Sequence, residues 1–299
     1  MTLDELVCRV ADKRNFTVLP DYLDFCARFL AFLDGGVQAV IVSKNEPHYR
    51  FFQYRQDGHF NVTRPINSRL MYSSADVRVT RRGFLRTLRQ ARDVPVGDSA
   101  SRQVICKSIY TIQQSIGAAL DALPAGRSNT ARKINGDLFE RLMLLLVQSL
   151  GVDCRSGVVS VPVIVPGVAE FKMSYQHDLI LRGAEEVKAI GSVKTSSKDR
   201  LDKIFIDKFL YSRLSDTEIP HFAIFLNDVQ RKKTKDARVY GVSATFLPGH
   251  FKGYTIKLNA LDGVYYCDIR PSMRTDPMLS SQIQTIDHFF CTDLWRMLH

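Results

Sequence analysis

Apolar residues recur at helical spacing through the first 34 positions: Leu3, Leu6, Val7 and Val10, then Tyr22, Leu23, Phe25, Cys26, Phe29 and Leu30. That period predicts helices here. "GGVQAVIVSKN" reads as a turn into a strand, and "HYRFFQYRQDGHFNVTRP" interleaves aromatic and basic residues around the turn signal Asp57-Gly58. "VRVTRRGFLRTLRQARD" predicts a basic helix, and residues 101–123 another that ends before Pro124. "PAGRSNTARKING" is rich in breakers and bases and predicts a loop. From residue 137 the pattern changes. "DLFERLMLLLVQSLG" predicts a strongly apolar helix closed by Gly151. Strand-like runs follow at 157–165, 171–182 and 187–196, then a helix over 199–214 and the strand "HFAIFLND" at 221–228. "RVYGVSATFL" and "GYTIKLNAL" continue the strands, and "TDLWRMLH" predicts a terminal helix.

The predicted class is α/β, a mixed β-sheet core flanked by helices. Its central strands are apolar on both faces, as helices covering a sheet require. Residues 1–130 predict a mainly helical N-terminal elaboration, and 131–299 the core. No linker is long enough to demand two independent domains, so one domain is expected.

Composition adds bounds. The 299 residues are 45% hydrophobic and 24% charged, the balance of an ordinary globular chain. No apolar run reaches the ~18 residues of a membrane span. The start, "MTLDELVCRVADKR", has early acids and no apolar h-region, which argues against secretion. Cys8, Cys26, Cys106, Cys154, Cys267 and Cys291 are scattered without a C-x-x-C pair. That favours reduced thiols in a cytoplasm and disfavours a zinc module. Net charge is +10 and the pI about 9.4, which favours a polyanionic partner.

Candidate chemistry begins at Asp178, in "YQHDLILRG" on the strand 171–182. The next strand carries two lysines, Lys188 in a literal E-x-K with Glu186 and Lys194 in an S-x-K with Ser192. If residues 184–186 form a three-residue loop, Gly183 faces Val187 and Asp178 faces Ser192. Lys194 is then a diagonal neighbour of Asp178 at roughly 7–8 Å between backbones. Lys188 would lie about 13 Å along the strand at ~3.3 Å per residue. Lys194 is therefore favoured. A strand carboxylate with a second acid can hold Mg²⁺, which takes hard oxygen ligands and stabilises charge on a phosphodiester. Ser192 stands where the usual second acid would, so Asp207, on the following helix, or Glu140, on the apolar helix, must supply it. Each has a plainer reading: Asp178 as a turn cap, Asp137-x-x-Glu140 as a capping box, Asp207 as a helix acid paired with Lys203.

The triplet Lys198-Asp199-Arg200 follows. In the major groove Lys or Arg donates to guanine O6 and N7, and Asp accepts from cytosine N4. Base, acid, base therefore suits adjacent C·G pairs, although the triplet is also an ordinary exposed helix start.

Together, "HD" before a strand, "SVKTSSKDR", and an acid thirteen residues beyond Lys194 resemble the CCGG-type branch of type II restriction endonucleases. That branch belongs to the PD-(D/E)xK nuclease superfamily and cuts sites with CC/GG cores. The resemblance implies a restriction-endonuclease-like fold and Mg²⁺-dependent cleavage of double-stranded DNA by a two-fold homodimer or higher oligomer. It implies Asp178, Lys194, Asp207, Glu140 and Ser192 at the catalytic positions, with Asp178 and Asp207 on the metal. Lys198, Asp199 and Arg200 would read bases, their motif beginning four residues after the lysine as in that branch. "NGDLFERLMLLL" resembles the family's upstream helix. The match covers roughly residues 134–228; His177 replaces the proline of the superfamily name, and Asp207 a residue usually Glu. The site would be CCGG or CCNGG, with flanking bases open. Two other classes stay in view, a repair or recombination nuclease of the same superfamily and a non-catalytic basic DNA-binding regulator.

Overall fold

The structure, a computed structural model, describes residues 2–299 apart from 57, 58, 125, 165, 166, 168, 185, 199, 233, 237 and 238. Helix α1 (Leu3–Ala11) opens on a reciprocal cap between Thr2 and Glu5 and buries Leu6, Val7 and Val10. Helix α2 (Leu19–Gly36) follows, its Asp21 carboxylate accepting from the N–H groups of Thr17 and Val18. Strands β1 (Ala39–Val42), β2 (Tyr49–Gln56), β3 (His59–Val62) and β4 (Ile66–Asn67) form a small antiparallel sheet. Tyr49, Phe51 and Tyr54 of the aromatic-basic stretch are buried there, while Phe60 is 58% exposed. Helix α3 (Ser74–Arg89) carries the basic run, and α4 (Ser99–Leu120) is buried over nearly all of its last four turns.

Helix α5 (Ser128–Gln148) begins well before the expected residue 137. Pro124 and Gly126 (φ 90°) end the preceding turn, and from there Ala131, Ile134, Asn135 and Leu138 are buried at helical spacing. Gly136 is tolerated mid-helix because packing outweighs its propensity penalty of about 1 kcal/mol.

Strands β5 (Cys154–Val163), β6 (Phe171–Arg182) and β7 (Val187–Ser196) run antiparallel to one another. Helix α6 (Leu201–Ser215) then returns the chain to β8 (His221–Asn227), parallel to β7. A hairpin of β9 (Val229–Lys232) and β10 (Gly241–Ala244) follows. Residues 253–261, expected as a strand, belong mainly to helix α7 (Pro248–Lys257). Pro248 starts that helix, and Phe251 docks edge-on against Phe205 of α6, so tertiary contact overrides the β-forming character of Tyr254, Thr255 and Ile256. Strands β11 (Gly263–Tyr266) and β12 (Ile283–Thr285) were not expected; the sheet reads β12-β11-β8-β7-β6-β5.

One face of this mixed sheet, through Ala189, Val193, Phe222, Ile224 and Tyr265, joins a core that includes residues of α1, α2, α4 and α5. The other, through Ala223, Phe225 and Val264, packs on α6 and α7. The small sheet is tied to the large one by buried polar contacts: Tyr49 donates to Asp268 at 2.9 Å and Asn67 at 2.9 Å. Among the described residues no helix is long and apolar enough to cross a membrane. All six cysteines are free thiols, and only Cys8 is exposed.

Candidate active site

Strands β6 and β7 pair through Leu179↔Gly191, Ile180↔Ile190 and Leu181↔Ala189, the register expected from the sequence. The turn reaches it differently: Arg182, not Gly183, faces Val187, and an irregularity absorbs the extra residue. Gly191 is the last rung, and a Cβ there would lie 2.4 Å from the Phe222 ring. Beyond it the two strands part. On the outer side of β6, Arg155 pairs with Ile180 and Gly157 with His177, so Asp178 and Leu179 together oppose Ser156. This is a β-bulge, which bends a strand and re-aims a side chain. The Asp178 carboxylate consequently accepts the N–H of Val193 at 2.7 Å, where a neighbouring strand carbonyl would otherwise serve.

The same carboxylate oxygen accepts from Lys194 Nζ at 2.5 Å, and Glu140 of α5 accepts from that ammonium at 2.9 Å. Asp178 is 11% exposed, Lys194 27% and Glu140 33%, so the cluster is sheltered but open on one side. Glu140 sits mid-helix, three turns from the start of α5, and Asp137 is engaged by Lys13 and Lys133; the capping-box account of the pair does not hold. Burial, then the Asp178 charge, raises the Glu140 carboxyl above its usual range against the pull of Lys194. Burial alone would lower Lys194, but Asp178 and Glu140 outweigh it and raise the ammonium above the ordinary lysine value. Two carboxylates sharing one cation leave a surplus negative charge in a partly buried cluster. Among the described residues no group of three or more His, Cys, Asp or Glu forms a protein cage for a metal. Magnesium does not need one: one or two carboxylates suffice, with water and phosphate oxygens completing the shell. The Glu140–Asp178 pair fits that donor set.

The other expected residues are placed differently. Ser192 pairs with Ala223 across β7 and β8, two residues before Lys194 on the same side of the strand. Asp207 of α6 is engaged by Lys203 one turn earlier, and its charge acts on Tyr175 and His177. No contact among the described residues joins it to Lys194. The literal E-x-K closes on itself, with Lys188 Nζ 2.6 Å from Glu186 at the turn.

Lys198 and Arg200 are exposed between β7 and α6, Arg200 at the cap position of α6; Asp199 lies outside the described residues. The Ser196 and Ser197 hydroxyls lie 3.2 and 3.3 Å from that of Thr245, beyond β10. Lys198 Nζ donates to Gln230 of β9 at 3.2 Å. Gln230 lies in "VQRKK", a charge-rich run in which the alternation with buried Val229 is the signal that sets it on the other face of a strand.

No family model and no curated protein matches the chain. Among solved structures, the crystal structure of the Type IIP restriction endonuclease Kpn2I is similar, with a TM-score of 0.71 at 18% identity. The alignment covers 99% of this chain and 97% of that one. The likeness is one of fold: this is a restriction-endonuclease-like α/β architecture.

Proposed function

We propose that the chain is a type II restriction endonuclease. It hydrolyses double-stranded DNA with Mg²⁺ at a palindromic site with a CC/GG core, CCGG or CCNGG, working as a two-fold homodimer in the cytoplasm. The observation that carries the reading is the convergence of Glu140 and Asp178 on Lys194, four residues before the base-acid-base triplet. Asp178 holds the metal with Glu140 as the carboxylate beside it, Asp207 of α6 is the further metal-holding acid that the family resemblance supplies, and Ser192 occupies the strand position from which an acid has moved. When bound, Mg²⁺ supplies stabilisation of charge on the phosphodiester and a more acidic water. Asp178 orients through two bonds, one to Val193 N–H and one to Lys194. Lys194, kept charged by its carboxylates, neutralises the scissile phosphate and aligns the attacking water. Lys198 and Arg200, which have only donors, suit guanines; Asp199, which has only acceptors, suits cytosines.

Plasmid DNA incubated with the purified protein, with and without Mg²⁺, tests this. Discrete fragments whose mapped ends share adjacent C·G pairs are expected. A smear or structure-specific nicks would instead identify a repair or recombination nuclease, and bound but intact DNA a regulator.

A further inference from the structure

The hairpin β9–β10 has two unlike faces. Val229 packs with Tyr49, Phe51 and Val242 against the small sheet. Arg231, on the same side, is committed as well: it donates to the Val62 carbonyl at 3.0 Å and lies over the Tyr240 ring. Gln230 and Lys232 alternate to the other side, where Gln230 pairs across the hairpin with Ser243. The hairpin is anchored beside the triplet by the hydroxyl contacts of Ser196 and Ser197 with Thr245. Thr245 N–H in turn donates to the Asp228 carbonyl at 2.5 Å. Gln230 is thus held by both strands of a fixed support, half-buried, with its amide oxygen on Lys198 Nζ at 3.2 Å. Among the described residues its amide nitrogen has no partner. A glutamate here would pair more strongly with Lys198 but would cancel its charge. A neutral carboxamide holds the ammonium in place and leaves two of its three donors free.

We propose that Gln230 is a specificity-determining residue, reading an A·T pair that borders the core at the Lys198 end. This inference rests on the restriction reading above. A carboxamide offers one donor and one acceptor, the set that matches adenine N7 and N6 in the major groove. With Lys198 on a guanine, the second lone pair of the Gln230 oxygen and its amide N–H are left for an adenine, and because a core of C·G pairs contains none, that adenine lies on a pair bordering it.

The test is cleavage of a substrate pool that carries the mapped core with every base at each bordering position, read by sequencing the cut and uncut molecules. Wild type is expected to favour adenine at one bordering position by about five- to a hundredfold, the range of a single good base contact. Gln230→Ala should lose that preference while still requiring the core, and Gln230→Glu, which only accepts, should move it toward cytosine. Thermal melting checks that both variants fold; if one does not, the other decides. A wild-type enzyme that cuts at its core while Gln230→Ala and Gln230→Glu keep its bordering preference overturns the inference alone. A wild-type protein that cuts no DNA removes the restriction reading and the inference with it.

Discussion

At the scale of single residues, the most decisive contrast is between two lysines six positions apart on one strand. Lys188 is spent on Glu186 in a turn, whereas Lys194 bridges two acids from different elements. Lys194→Ala and Asp178→Ala are each expected to slow cleavage by on the order of 100-fold or more, with Lys188→Ala near wild type. Asp178→Ala should still bind DNA, because the carboxylate it removes repels phosphate. Single-turnover cleavage and gel retardation measure both, and reversed lysine effects would transfer the catalytic role to the turn. Asp207 separates ligand from bystander: if it holds metal, Asp207→Ala raises the Mg²⁺ needed for half-maximal cleavage and Asp207→Glu partly restores it. An unchanged requirement leaves it as the ion-pair partner of Lys203. The Asp178–Lys194 juxtaposition was legible because strand alternation is rigid. Glu140 was legible as an acid approaching from the apolar helix, but the β-bulge that re-aims Asp178 was not, because it depends on how β5 pairs along β6.

Elements were legible where periodicity is strong and illegible where long-range packing decides. The strands 171–182 and 187–196 coincide with β6 and β7, since few residues there tolerate another pattern. The start of α5 was missed because Gly136 reads as a breaker until Ile134 and Asn135 are seen buried beside it. Two glycines turn this into measurements. An added Cβ at Gly136 meets nothing within 4 Å, so Gly136→Ala should stabilise the protein by roughly 0.5–1 kcal/mol. Gly191 is in extended backbone with the buried Phe222 ring against it, and Gly191→Ala should cost about 1–3 kcal/mol by overpacking. Denaturant midpoints for the pair check both signs; stabilisation at Gly191 would mean that β7 and Phe222 sit further apart.

For the whole molecule, buried ionisable groups set how stability follows acidity. Burial, the largest cause for each, lowers His177 and His221 to about 4 from an ordinary 6.5. Between those values the unfolded chain takes up protons that the folded chain refuses, so stability falls as pH drops from about 6.5 towards 4. Asp228 acts the other way. Burial raises it to about 7, with Arg270 opposing and Asp268 and Glu46 adding to the shift, so its folded form holds a proton and stability rises as pH falls through 7. Below pH 7 the two histidines outweigh Asp228 and above it Asp228 narrowly outweighs them, so these three predict a maximum near pH 7 that falls off more steeply on the acid side. Melting curves from pH 5 to 8 should show it. Asp228→Asn should flatten the alkaline side and His177→Phe make the acid side shallower. Slopes unchanged by either variant would assign the pH dependence to other groups.

The burial of α4 bears on how the chain comes into being. Its Arg102 pairs with Asp287 at 3.3 Å and its Cys106 thiol donates to the Cys267 carbonyl at 3.1 Å, partners more than 160 positions downstream. Contacts so distant in sequence close late and slow folding. At a synthesis rate of about 5–20 residues per second, the ribosome has made Glu140, Asp178 and Lys194 seconds before the strand and helices that seal α4 emerge. A nascent or prematurely released chain therefore holds the three charged groups without the completed core around α4. A protein stopped after residue 285 should remain expanded and sensitive to limited proteolysis. If that fragment were as protease-resistant as the full chain, the last fourteen residues would not be what completes the core around α4.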